Sequence, residues 1–214
     1  MVNNDLGAVM PAGRRERRAR ALRQSLYETA IRLFRERGYE ATTVQQITEA
    51  VDTSKGTFFN YFPSKEHVLA AYHDEMTRNI LGSLERSDHP GAAAALLDTA
   101  DACARWVAID PELAGAVVRV VFVSPVLAAA DRANGARFLA WLRGVVDDGI
   151  RRGELRRDLE RDVFVAVVLG TINSAMIEWI TEGRPFDLID GCRRRIALVV
   201  RAARDPEWQP EGSA

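Results

Sequence analysis

Between Gly38 and Pro63 the chain has room for only two short helices and one tight turn. Gly38 stops a preceding run in which Leu22, Leu26, Ala30, Leu33 and Phe34 recur at helical spacing, which predicts a first helix from about Leu22 to Arg37. Thr42 or Thr43 then caps a second helix whose inward side is Val44, Ile47 and Val51. Asp52-Thr53 turns the chain, and Ser54 caps a third helix that reaches about Phe62, where Pro63 discourages continuation. Ser64 can cap a fourth helix, Lys65 to about Leu84, with Glu66 in its first turn. A short helix, a tight turn and a second short helix packed on a third are the parts of a helix-turn-helix.

Beyond this head the apolar periodicity stays helical. Helices are expected at about 92–109, 111–122, 126–152, 159–182 and 187–203, punctuated by His89-Pro90-Gly91, Pro111, Pro125, Gly153 and Gly183-Arg184-Pro185. The β-branched run Val117–Val123 is read as helix, because an isolated strand would have no partner. No alternating strand pattern and no internal repeat is visible. The fold class is therefore all-α: a three-helix, helix-turn-helix head over 22–68, then a helical bundle over 69–214. Residues 1–21 are expected to be a disordered tail followed by a basic arm.

Charge supports a polyanion at one end only. The 214 residues carry a formal net charge of −1, but residues 1–65 hold 11 Lys+Arg against 7 Asp+Glu, and 66–214 hold 18 against 23. Arg14, Arg15, Arg17, Arg18 and Arg20 crowd the arm, placed to reach phosphates or a minor groove beside the head. Cys103 and Cys192 stand far apart outside any C-x-x-C pattern, which fits free thiols in a reducing compartment. No apolar core precedes the basic run as in a secretory signal, and the most apolar stretch, Phe164–Ile180, is interrupted by Gly170, Asn173, Ser174 and Glu178. A cytoplasmic protein with no membrane partner is expected.

Within the head, Ile47, Val51 and Phe58 can bury against the first helix, while Lys55, Asn60 and Tyr61 are polar groups on a helix too short to need them for solubility. Gly56 and Thr57 leave room for close approach of a backbone. The run Ala30-x-x-Leu33-Phe34-x-x-x-Gly38-Tyr39, Thr42-Thr43-Val44-x-x-Ile47, Ser54-Lys55-Gly56-Thr57-Phe58-Phe59-x-Tyr61-Phe62 and Ser64-Lys65-Glu66-x-x-Leu69 resembles the DNA-binding domain of the TetR family of bacterial repressors. The resemblance implies that Thr43, Phe59, Tyr61 and Lys65 hold the DNA backbone, and that Lys55, Gly56, Thr57 and Asn60 face bases or nearby phosphates, with Ser54 as the cap of the reading helix. Three positions depart from the family pattern. Phe59 stands where Tyr is usual, Asp52-Thr53 where Gly-Val is usual, and Val44 offers no hydrogen bond to a base. Asp tolerates the left-handed region better than most residues, so the turn is expected to survive.

The resemblance also implies a homodimer that binds a palindromic double-stranded operator, most simply as a repressor released by a small-molecule effector. An activator of the same fold, or a helical protein–protein adaptor, would carry many of the same features. Cys103, Trp106, Phe122, Phe138, Trp141, Asn173, Met176 and Trp179 are candidates to line an effector cavity. Glu178 joins them because a carboxylate in an apolar stretch needs a partner if it faces inward, such as Arg105 or Arg119 or a cationic ligand. Gly170 and Ser174, four apart on an apolar helix, permit a close helix crossing at a dimer interface. No H-E-x-x-H, G-x-S-x-G, P-loop or G-x-G-x-x-G occurs, so neither a catalytic site nor a cofactor is expected. His67, His73 and His89 are not spaced to share a metal.

Overall fold

The structure, a computed structural model, describes residues 13–204. It is all-helical there: α1 (Arg14–Arg37), α2 (Val44–Ala50), α3 (Lys55–Tyr61), α4 (Lys65–Arg86), α5 (Ala92–Ile109), α6 (Pro111–Val120), α7 (Pro125–Arg151), α8 (Arg161–Thr181) and α9 (Leu188–Ala203). One isolated bridge pairs Leu155 with Arg204, and no strand forms among the described residues. The chain divides into two compact units between Val68 and Leu69.

One expectation needs correction. α1 begins at Arg14, not Leu22, so the basic arm is part of the first helix. Arg and Ala are strong helix formers, and Glu16 lies 3.9 Å from Arg20 one turn on. The segment carries no apolar side, so periodicity does not reveal it. The tail expected at 1–12 lies outside the described residues.

In the first unit Leu26, Ala30, Leu33 and Phe34 of α1, Ile47 of α2 and Phe58 of α3 are buried, as is Phe62 just after α3. The rings of Phe34 and Tyr39 meet edge-on at 5.0 Å, and those of Phe58 and Phe62 lie 5.8 Å apart. Burying an aromatic or branched side chain of this size stabilises by roughly 1.5–3 kcal/mol, which holds two seven-residue helices that could not stand alone.

The second unit is a bundle whose core draws on α4 to α9. Polar clips fix its helices. Buried Asp101 of α5 receives Arg193 of α9 at 2.5 Å, and Trp141 of α7 donates to Thr99 of α5 at 3.0 Å. Buried Glu154 accepts from the backbone N–H of Ala92 at 2.6 Å, at the start of α5. α8 is long and apolar enough, by length and composition, to cross a membrane. Its inner side, Phe164, Val165, Val168, Ile172, Ala175 and Trp179, is buried in the bundle core, and a soluble core helix passes the same measure.

Candidate nucleic-acid interface and effector cavity

The first-unit site is built from its caps outward. Thr43 closes a reciprocal cap on α2: its hydroxyl accepts from the Gln46 backbone N–H at 3.2 Å, and the Gln46 side chain accepts from the Thr43 backbone N–H at 2.8 Å. Thr42, buried beside it, donates to Gly38 and Leu33 carbonyls at 2.8 and 3.2 Å. Asp52 then takes φ 53°, the left-handed conformation expected of it, and the Thr53 N–H returns to the Thr48 carbonyl at 2.9 Å. Ser54 caps α3 by accepting from the Thr57 N–H at 3.1 Å, and its hydroxyl also meets that of Thr57 at 2.9 Å.

These constraints sort α3 into two faces. Phe58 is fully buried, while Lys55, Gly56, Phe59 and Asn60 are exposed and Thr57 and Tyr61 lie between. Positions i, i+1, i+4 and i+5 share one side of a helix. That side therefore presents a cation, a glycine, a carboxamide and a ring, with 48% of Phe59 accessible. Thr43 is exposed at the start of α2, and Val44 is half-buried. Arg14, Arg15, Arg17, Arg18 and Arg20 are exposed on the first turns of α1. Nearer the core, Arg23 stacks on the Phe62 ring at 4.8 Å.

Lys65 differs from a freely extended, phosphate-directed side chain. Its ammonium donates to the carbonyls of Tyr39 and Thr42 at 2.8 and 3.1 Å and lies 4.2 Å from the centre of the Tyr39 ring. It clamps the α1–α2 loop to the start of α4. The adjacent Ser64 hydroxyl meets the His67 ring at 2.9 Å, and its hydrogen bond to Glu66 holds that carboxyl below the usual carboxylate range, helped by backbone N–H and Lys65. Burial pushes the Tyr39 phenol up. The cap on α2 could have been read from Thr43-x-x-Gln46. The Lys65 clamp could not, since its acceptors stand 26 and 23 residues away.

In the second unit a cavity of about 210 Å³ lies among α4, α5, α6, α7 and α8. Of the sequence candidates, Phe122, Asn173 and Met176 line it. The rest are placed elsewhere. Cys103, Phe138 and Trp179 belong to the packed core, and Trp106 packs against it. Trp141 lies in a separate groove with His89, and Trp179 donates to the Phe186 carbonyl at 2.8 Å. Glu178 is half-buried and pairs with Arg195 of α9 at 2.7 Å, not with Arg105 or Arg119, so it clips α8 to α9. His73 and Asp131 carry no signal in the sequence, yet both line the cavity and touch at 3.2 Å. The three histidines have separate partners: His67 with Ser64, His73 with Asp131, and His89 with Asp98.

α8 also shows an outward stripe. Val163, Val167, Gly170, Ser174 and Ile177 are exposed along it, and Leu198 of α9 is exposed beside a groove that Val163 and Val167 share. A Cβ added at Gly170 would meet nothing within 4 Å.

A family model described as bacterial regulatory proteins, tetR family, matches residues 26–72. The HTH-type transcriptional repressor DhaR of Mycobacterium sp. (strain GP1) is 37% identical over 90 residues, covering 37% of this chain and 46% of that protein. Against two other curated HTH-type regulators the chain spans only 25% and 32% of their length. Solved structures extend the likeness of fold over most of the chain. A TetR transcription regulator from Haloarcula marismortui superposes with a TM-score of 0.74 at 18% identity, covering 87% of this chain and 100% of that one. Thermus thermophilus FadR, a repressor in complex with lauroyl-CoA, gives 0.69 at 23%, covering 87% and 98%.

Proposed function

We propose that this chain, whose residues 26–72 match the model of the tetR family of bacterial regulatory proteins, is a transcriptional repressor of that family that binds a palindromic operator as a homodimer and leaves it when a small molecule binds. The observation that carries this is the exposed side of α3, where Lys55, Gly56, Phe59 and Asn60 face outward from a helix held by fully buried Phe58. A helix of this kind enters the major groove, with Gly56 allowing close approach and Lys55 and Asn60 reaching base edges or phosphates. Ser54, Thr57 and Tyr61 support that contact, Thr43 holds the backbone beside α2, and Lys65 offers the proton its two carbonyls leave over. Arg14, Arg15, Arg17 and Arg18 add sequence-independent attraction from the start of α1.

Dimerisation uses the outward stripe of α8 at Gly170 and Ser174, flanked by Val167 and Ile177 and continued by Leu198 of α9. A contiguous exposed apolar stripe with a glycine at its centre is suited to a helix of a second copy. Two heads on a two-fold axis match half-sites about 34 Å apart or a multiple of it. α4 supplies both the Lys65 clamp and the cavity residues His73 and Met76, so a ligand that favours one placement of α4 disfavours the DNA-bound one. A coupling of ~1–3 kcal/mol changes operator affinity by about 5–150-fold. The protein works in the cytoplasm, where its operator is.

Selection of bound fragments from genomic DNA with the purified full-length protein tests this. A recovered inverted repeat, bound with steep salt dependence, is the expected result. Retention of no fragment above background would refute it.

A further inference from the structure

An apolar ring stands among the polar groups of α3. Among the described residues of the first unit, Phe59 is the one large apolar side chain left exposed, at 48%. Lys55 lies one turn before it on the same side, and Asn60 follows it. The ring has a fixed seat. It meets fully buried Phe58 edge-on, with centroids 5.6 Å apart and planes at 87°, so the core of the unit sets where its outer half points. Gly56 leaves the flank of the ring open. Positions three apart are neighbours on a helix surface, so the absent side chain makes a recess beside Phe59. Nothing in the fold requires glycine there. A Cβ at residue 56 would meet only the Ser54 hydroxyl, at 3.7 Å, and the backbone is not in the left-handed region.

We propose that Phe59 is a specificity-determining residue, packing on the 5-methyl group of one thymine in each operator half-site instead of holding the DNA backbone. This rests on the reading of α3 as the helix that enters the major groove. A phenyl ring has no hydroxyl to give a phosphate oxygen, and its apolar surface would strip water from that anion without repayment. On the base edges of a major groove the apolar group on display is the thymine methyl, and an apolar side chain is what recognises it. The recess at Gly56 lets a base edge come close to the flank of the ring. Lys55 and Asn60 supply hydrogen bonds to neighbouring base edges or phosphates, and Phe59 supplies the one apolar contact between them. Cytosine at the same place offers an amine and no methyl, so it is disfavoured there.

Deoxyuridine differs from thymidine by this methyl alone and pairs in the same way, so a uracil scan tests the assignment. Synthetic duplexes of a genomic fragment selected with the full-length protein carry uracil in place of each half-site thymine in turn. At one thymine, wild-type affinity is expected to fall about fourfold when one half-site is changed and about fifteenfold when both are. In Phe59→Ala the thymine and uracil duplexes should bind within about twofold of each other. The scan on the wild type needs no variant, so it stands even if Phe59→Ala folds poorly. A selected fragment without a half-site thymine, or one indifferent to every uracil, overturns the proposal and leaves the regulatory reading intact. So does a thymine preference that survives Phe59→Ala, and equal weakening of both duplexes in that variant would return the ring to the backbone. Failure to select any fragment overturns both readings.

Discussion

Lys65 is held before it can hold anything else. Its two carbonyl partners and the Tyr39 ring tie the α1–α2 loop to α4, so Lys65→Ala should lower stability as well as DNA affinity. The expected loss is about 1–2 kcal/mol, read from the urea midpoint, since a charge-assisted bond is removed and two carbonyls lose their donor. An unchanged midpoint would show the clamp to be weak. Asp52 poses the reverse case. At φ 53° a side chain carries strain, so Asp52→Gly should stabilise by about 0.5–1 kcal/mol in the same assay. Glu66 sets an acid limit. Its carboxyl is depressed chiefly by the Ser64 hydroxyl, so its contribution is present above the ordinary carboxylate pKa and is lost as pH falls through the lower folded value. Urea midpoints taken from neutral pH down to about pH 3 should fall, and less so in Glu66→Gln. The two thiols are shielded: burial raises Cys103 to about 12 and Cys192 to about 11. Neither should react with an aromatic disulfide reagent at about pH 8 until denaturant is added.

At the level of elements, much was legible because the punctuation is strong. Pro111, Pro125 and Gly153 bracket α6 and α7 to within two residues of their expected ends, and the Ser54 cap sits where the sequence places it. What escaped has a physical cause in each case. The first turns of α1 are exposed all round, and a pattern reading stops at the first apolar residue. The cavity is assembled from five helices, so spacing along any one of them does not tell which side chains converge. Three of nine candidates line it, and His73 and Asp131 come from helices whose apolar pattern gives no hint of it. Glu178, half-buried, has its partner on α9 and not at Arg105 or Arg119. The helical arm carries its own prediction. Changing Arg14, Arg15, Arg17 and Arg18 to alanine should leave the urea midpoint unchanged while lowering the salt slope of operator binding by about 0.9 for each phosphate no longer neutralised. An unaltered slope would remove the arm from the interface.

For the whole molecule, two units with different chemistry share one helix, α4. Placing a charge on the outer stripe of α8, as in Ile177→Glu with Val167→Glu, should yield a folded monomer by sedimentation that has lost most of its operator affinity. A dimer that survives both changes would place the interface elsewhere. The central claim is that the exposed side of α3 reads DNA. Its most direct test is titration of a selected genomic fragment with wild type and with Lys55→Ala/Asn60→Ala, at salt from about 50 to 200 mM. The account predicts that the double variant keeps its urea midpoint, loses about tenfold or more in affinity for the fragment, and approaches its affinity for random DNA. Undiminished preference for the fragment would contradict it.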